Sequence, residues 1–404
     1  MKVLITTDTY YPMINGVVIS INNLYKELKR QGHDVRIMAL SSTGEECING
    51  DVYYLKSLKT GIYPDARFRI PFTGNLIKQL LEWKPDIIHS QTEFSTLFAA
   101  KYIAKKLNIP QIHTYHTLYE DYLTYIMNGK LINKRTNAAI TRYMLNSMDG
   151  VVVPTKKVDK VIKGYGVKTN MFIVPTGIDI SRFKKKVSME EKRSMLQELN
   201  LTEEDNIIVY IGRIAEEKNI EEVMEYFAAA RDKIEKLKLV IVGGGPYLEI
   251  LREKASKLNL QPDIRFVGMV SPEETYKYYQ LGQVFATAST SETQGLTYIE
   301  ALASSLPVVC RYDSCVDGLI VNNETGFTYT NEQEFTSYMT RIFYDNELRK
   351  RLSSGAIKMA EEYSAENFGQ NISNVYLKNY SKCVDLIPRE VKIKNFIRHA
   401  VVRR

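Results

Sequence analysis

No uninterrupted apolar run in the 404-residue chain approaches the ~18 residues that a transmembrane helix needs. The first residues, MKVLITTDTYYP, carry one lysine and a short apolar stretch that reaches polar residues at once. The h-region and cleavage site of a secretory leader are missing there, so none is expected. Cysteine is scarce: Cys47, Cys310, Cys315 and Cys383 are too few and too scattered for a disulfide scaffold or a zinc site. The Cys310/Cys315 pair is expected to be two reduced thiols. Zinc-finger spacing, a basic leucine-zipper pattern and an aromatic RNA-binding signature are all missing, so no nucleic-acid partner is expected. At 44% hydrophobic and 25% charged, the composition excludes a disordered or collagen-like chain. The length suggests two or three domains.

What is present begins with an uneven charge. Residues 1–178 hold 23 basic and 14 acidic side chains, residues 179–377 hold 23 and 31, and residues 378–404 hold 8 and 2. A basic first part, an acidic middle and a basic tail point to an oriented partner of negative charge, and an anionic membrane is the favoured one.

Strand and helix alternate. Val3–Thr6 is a short apolar, β-rich run, Asp8–Gly16 is a loop, and Val17–Arg30 repeats Val17, Ile21, Leu24 and Leu28 at helical spacing. Val35–Leu40, Ile87–His89, Ile112–Tyr115 and Gly150–Pro154 are further strands with helical stretches between them. After Phe172–Pro175 the pattern restarts with Asn206–Gly212, Leu239–Gly243, Ile264–Gly268, Val284–Ala288 and Leu306–Cys310. The expected fold is α/β, with two doubly wound Rossmann-like domains facing a central cleft. Residues 1–177 form the first, 178–364 the second, and 365–404 are helices returning to the first. A cleft between two such domains is the default ligand site.

Four segments carry chemistry. Asn15-Gly16 follows the first strand, where glycine lets backbone approach a ligand and the helix start favours an anion. In GRIAEEKN, Arg213 and Lys218 are two cations suited to a diphosphate. Gly243-Gly244-Gly245-Pro246 follows LVIVG and offers backbone donors, without the G-x-G-x-x-G dinucleotide fingerprint. In SETQGLTYIEA, Glu292 and Glu300 flank a helix start near Gly295, with Glu300 about two turns in. Glu300 suits ribose hydroxyls and Glu292 sugar hydroxyls. No Asp-x-Asp pair suited to a metal lies on these loops, so neither metal nor other cofactor is expected.

The order DTYYPMINGV, HTYHT, GRIAEEK, GGGP and E-x7-E resembles the retaining glycosyltransferases of family four, which have the GT-B fold. The segment departs from the commoner E-G-F-G-L at Thr293 and Gln294, which leaves the donor sugar open. The resemblance implies that Arg213 and Lys218 bind the donor diphosphate, with Gly16 and Gly244 near it. It implies that Glu300 binds the ribose, and that Glu292 with the backbone of Gln294, Gly295 and Leu296 holds the sugar and distal phosphate. His116 would sit beside the transferring sugar, while His113, inside a strand, is expected to be structural. Front-face attack would retain the anomeric configuration without a protein base.

For the acceptor, Gly129–Met148 reads as a helix whose Lys130, Lys134, Arg135 and Arg142 fall within about 140° at 100° per residue. In the tail, Ile393, Phe396, Ile397, Ala400 and Val401 stand at helical spacing with Lys394 and Arg398 opposite. HTYHTLYEDYLTYI, the basic helix Gly129–Met148 after it and DTYYPMINGVVIS most resemble the bacterial diacylglycerol glucosyltransferases. These imply a UDP-glucose donor, a diacylglycerol acceptor and a peripheral place on the cytoplasmic face of the membrane. A polysaccharide or soluble acceptor is the alternative, and a nucleotide-sugar epimerase a more distant one.

Overall fold

The computed structural model describes residues 1–404 except 14, 60–66, 70–73, 119–132 and 386–404; for 382–385 it describes the backbone alone. Two compact units emerge: Met1–Gly177 with Ala365–Arg404, and Ile178–Ser364.

The first unit begins with β1 (Lys2–Thr7), buried from Val3 onward, as expected of a central strand covered on both faces. Then come α1 (Gly16–Arg30), β2 (Asp34–Leu40), β3 (Cys47–Asn49), β4 (Val52–Leu55), β5 (Leu58–Lys59), β6 (Arg67–Phe68), α2 (Asn75–Trp83) and β7 (Ile87–Ser90). α3 (Ser95–Leu107), β8 (Gln111–Thr114), α4 (Lys134–Leu145), β9 (Gly150–Val153), α5 (Lys156–Gly164) and β10 (Met171–Ile173) follow. The main sheet runs β10-β9-β8-β7-β1-β2-β4-β3. It is parallel except for β3, which runs antiparallel to β4, while β5 and β6 form a separate antiparallel pair. Strict strand-helix alternation therefore fails over residues 47–59, where the short strands β3, β4 and β5 follow one another without a helix. α1 starts where Asn15 Oδ1 accepts the Val18 N–H at 3.0 Å, and it buries Val18, Ile21, Leu24 and Leu28.

The second unit contains α6 (Ile180–Lys184), α7 (Met189–Glu198), β11 (Asn206–Ile211), α8 (Ile220–Arg231), β12 (Leu237–Val242), α9 (Leu248–Lys257), β13 (Ile264–Gly268) and α10 (Thr275–Tyr279). It continues with β14 (Val284–Thr287), α11 (Leu296–Ala303), β15 (Val308–Arg311), β16 (Gly326–Tyr329), α12 (Glu332–Tyr344) and α13 (Asn346–Glu362). Its sheet runs β13-β12-β11-β14-β15-β16, parallel at every pairing. One apolar cluster centres on Ile208, Phe227 and Phe335, another on Val209, Phe285 and Leu302; alternate residues of β11 feed the two.

In each unit the chain order reverses beside the first strand. β1 pairs with β2 on one side and β7 on the other; β11 pairs with β12 and β14. Loops leaving the carboxyl ends of such strands diverge to opposite faces and leave a crevice.

The closing helix α14 (Ala365–Asp385) packs against α1, its Phe368, Ile372, Val375 and Tyr376 joining Ile21 and Leu24 in one cluster. Ser373 Oγ donates to Gln31 Oε1 at 2.6 Å, and Tyr376 Oη lies 2.8 Å from His89 Nδ1. His89 is wholly buried and its other nitrogen lies 2.6 Å from Thr114 Oγ1, so the tyrosine completes its hydrogen bonding. Tyr376→Phe strands that ring nitrogen and is expected to cost about 1–3 kcal/mol. A thermal melt of the purified protein should show a lowered midpoint; an unchanged midpoint would contradict the role given to this contact.

Candidate active site

In the second unit the loops after β11, β12 and β14 are laced together beyond the carboxyl edge of the sheet. The Ile214 N–H donates to Gly244 O at 2.9 Å, the Tyr247 N–H to Ile214 O at 3.2 Å, and Ser291 Oγ to Glu217 O at 3.2 Å. Such close approach demands glycine. A Cβ on Gly245, at φ +154°, would lie 2.1 Å from Ile214 O. One on Gly295, at φ +76°, would lie 2.1 Å from the Tyr298 ring.

Both predicted cations are here, and both face carboxylates. Arg213, half exposed, pairs with Glu217. Lys218 ends a single 3-10 turn, Glu216–Lys218, and its Nζ lies 2.6 Å from Glu292 Oε1. The Lys218 side chain is 15% exposed and that of Glu292 20%, so the pair is largely withdrawn from water. Ser289 Oγ donates to the same Glu292 oxygen at 2.8 Å. Gln294 and Gly295 are buried, and Leu296 opens α11. The first N–H groups of that helix have no partner within it and carry partial positive charge.

α11 starts at Leu296, next to the expected Gly295, and Glu300 is its fifth residue, just past the first turn and not two turns in, because five residues at 3.6 per turn make about 1.4 turns. Burial raises its carboxyl pKa, opposed by the Tyr279 hydroxyl, which donates to Oε2 at 2.9 Å, and by the Arg182 guanidinium, 4.0 Å from Oε1. Sequence reasoning missed Tyr279 and Arg182. Neither belongs to a pattern: they lie 21 and 118 positions before Glu300, on α10 and α6.

The first unit gathers polar side chains at the ends of β1, β7 and β8. Asp8 accepts Thr92 Oγ1 at 2.5 Å and the Thr96 N–H at 3.0 Å, and so caps α3. Burial raises its carboxyl pKa. His113 is buried, as expected of a strand residue, with Nε2 3.2 Å from Glu93 Oε1. His116 follows β8, and its Nε2 lies 2.7 Å from the side-chain oxygen of buried Gln91. A carboxamide oxygen only accepts, so Nε2 carries the hydrogen. Burial pushes the His116 imidazole down to about 4, which keeps it neutral near pH 7. Gly16 is the exposed first residue of α1.

Lys134, Arg135 and Arg142 are exposed on α4, beside exposed Ile140 and Tyr143, while Asn137, Thr141 and Leu145 face inward. Lys130 and the tail positions Ile393, Lys394, Phe396, Ile397, Arg398, Ala400 and Val401 lie outside the described residues. Among the described residues no helix is long and apolar enough to cross a membrane, and no three His, Cys, Asp or Glu side chains are grouped to hold a metal ion.

Residues 14–182 match Glycosyltransferase Family 4, and residues 191–359 match Glycosyl transferases group 1. A Streptococcus pneumoniae protein named alpha-monoglucosyldiacylglycerol synthase is 35% identical over 93% of this chain and 86% of its own length. The chain belongs to the family-4 glycosyltransferases. An Acholeplasma laidlawii protein of the same name is 31% identical to this glycosyltransferase, over 93% of this chain and 97% of its own. Among solved structures, Anabaena HepE in complex with UDP and glucose superposes with TM-score 0.72 at 15% identity, over 94% of this chain and 100% of that one. Sucrose-phosphate synthase from Thermosynechococcus elongatus superposes equally well, with TM-score 0.72 at 18% identity, over 94% and 99%. These two likenesses establish the fold: the glycosyltransferase is a GT-B protein with two Rossmann-like domains.

The Gln91–His116 contact makes a testable demand. Gln91→Glu places a carboxylate against Nε2 and favours the imidazolium. An NMR titration of His116 should move from about 4 toward the ordinary imidazole value. A midpoint left in place would contradict the contact.

Proposed function

We propose that this glycosyltransferase moves glucose from UDP-glucose to the 3-hydroxyl of 1,2-diacylglycerol, giving alpha-monoglucosyl-diacylglycerol with retention at the anomeric carbon. The observation that carries the reading is the match, along nearly the whole chain, to two proteins named for making that glycolipid.

In this reading the bond from the anomeric carbon to the diphosphate breaks and the diacylglycerol oxygen bonds to the same face. Its proton passes to the departing phosphate oxygen, and UDP leaves. Negative charge grows on the diphosphate, and the chain's own cations are assigned to it. Arg213 and Lys218 take that charge, with the first N–H groups of α11 and the backbone of Gly244, Gln294 and Gly295. No cofactor is invoked. Donor binding exchanges partners: Lys218 turns from Glu292 to phosphate, and Glu292 is released to accept sugar hydroxyls. Glu300, steadied by Tyr279 and Arg182, accepts the ribose hydroxyls. From the first unit, Gly16 is assigned to the diphosphate and neutral His116 to the transferring sugar, roles drawn from the resemblance.

A lipid acceptor calls for a bilayer surface. Exposed Lys134, Arg135 and Arg142 on α4 suit anionic headgroups on the cytoplasmic face, at about 1 kcal/mol for each cation near such a surface. The exposed Ile140 and Tyr143 beside them suit the headgroup boundary.

Labelled UDP-glucose offered with vesicles containing diacylglycerol tests the reading. The expected product is a lipid bearing one α-linked glucose; label transferred only to soluble or polysaccharide acceptors would overturn the assignment. In the same assay Lys218→Ala is expected to lower kcat about 10²–10³-fold with little change in the melting midpoint. Near-normal transfer by that variant would remove Lys218 from the diphosphate.

A further inference from the structure

The elements that hold Glu300 continue past it to the opposite edge of the second sheet. Arg182 lies four residues before Lys186, Tyr279 directly before Gln280, and Glu300 four residues before Ser304. Those later residues line a cleft of about 990 Å³, whose far wall is α13. Gln283, also in its lining, directly precedes β14, so the cleft lies at the amino-terminal edge of the sheet. Ser304 caps the carboxyl end of α11 and Gly295 its start. The eight residues between them span about 12 Å, which separates the cleft from the proposed donor pocket.

The charge of this cleft runs against that of its surroundings. Residues 178–364 carry 30 acidic and 23 basic side chains. Yet among the described residues lining the cleft four are cations, Lys186, Lys192, Arg349 and Lys350, and none is acidic. Lys350 pairs with Glu347 at 2.9 Å. Arg349 is fixed in place by bonds to Ile342 O, Phe343 O and Asn346 Oδ1. Lys192 differs. It is half-buried and has no ion-pair partner among the described residues; burial lowers its ammonium pKa, with only a partial opposing pull from Glu203. Glu203 is itself paired with Arg193 at 3.0 Å. A second, independent feature lies in the same wall. Ser304 is 8% exposed, and its buried Oγ has no hydrogen-bond partner among the described residues. An unmade hydrogen bond and a partly desolvated, only partly compensated cation are both costly, and an anion in the cleft they both line offers acceptor oxygens to each.

We infer that this cleft binds a phosphate group, with Lys192 and Lys186 supplying charge, Ser304 Oγ a hydrogen bond and Arg349 a fixed positive field. Phosphate of this class arrives either as a soluble ester or as the headgroup of a phosphoglycerolipid.

The test uses the full chain with saturating UDP, so that the donor pocket is filled. Inorganic phosphate is titrated at constant ionic strength by calorimetry into the wild type, Lys192→Met and Ser304→Ala. Wild type is expected to bind phosphate in the presence of UDP. Lys192→Met should weaken that binding about tenfold, the worth of one charge-assisted contact. Ser304→Ala removes a single oxygen and should weaken it by a smaller factor, which keeps the test decisive if the lysine variant folds poorly. A parallel arm compares sedimentation with phosphatidylglycerol and phosphatidylcholine vesicles. Loss of phosphatidylglycerol binding in Lys192→Met identifies a lipid headgroup as the source; unchanged vesicle binding with weakened phosphate binding identifies a soluble ester. Phosphate binding that disappears when UDP is present, or that neither variant weakens, overturns the inference.

Discussion

In a parallel sheet every strand delivers its following loop to the same edge, and this constraint decides where chemistry can gather here. At β11 the chain order reverses, and the loops after β11, β12 and β14 meet beyond that edge. Segments far apart in sequence are thereby brought into hydrogen-bonding distance: Lys218 reaches Glu292 across 74 positions. The meeting is tight enough that Gly245 admits no side chain. Cations, backbone donors and two carboxylates share one edge because of the winding, and the cations pair with carboxylates there.

The first unit uses the same geometry for a different chemistry. Where the second gathers ion pairs, the first draws polar groups partly or wholly out of water: Asp8 among threonines and His116 on Gln91 partly, His89 between Tyr376 and Thr114 wholly. Desolvation is the common cause, since it raises the Asp8 carboxyl and lowers the imidazoles of His89 and His116. A neutral, hydrogen-bonded imidazole suits contact with a sugar hydroxyl, whereas fixed cations suit a diphosphate. The proposed function assigns the sugar to the neutral groups of the first unit and the diphosphate to the cations of the second.

Much of this was legible in the sequence because it is local. The strand-helix rhythm, the restart after Phe172–Pro175, the glycines after LVIVG and the pair Glu292 and Glu300 are all short-range patterns. What could not be read depends on packing. Tyr279 and Arg182 reach Glu300 only once α6, α10 and α11 have assembled. Gln91 meets His116 because β7 and β8 are adjacent strands, a pairing no spacing announces. The ion pairs that hold Arg213 and Lys218 were equally hidden, since Glu217 reads as one more surface charge. The short strands β3 to β6 lack the length that makes a periodicity visible.

The central claim is a division of labour between two carboxylates on one edge: Glu300 for the nucleotide, Glu292 for the sugar. Equilibrium affinities for UDP and for UDP-glucose, measured on Glu300→Gln and Glu292→Gln, test it most directly. The account predicts that Glu300→Gln weakens both ligands alike, because a neutral amide accepts ribose hydroxyls less well. It predicts that Glu292→Gln leaves UDP affinity intact and removes only the added contribution of the sugar. Equal loss of UDP affinity in the two variants would contradict it.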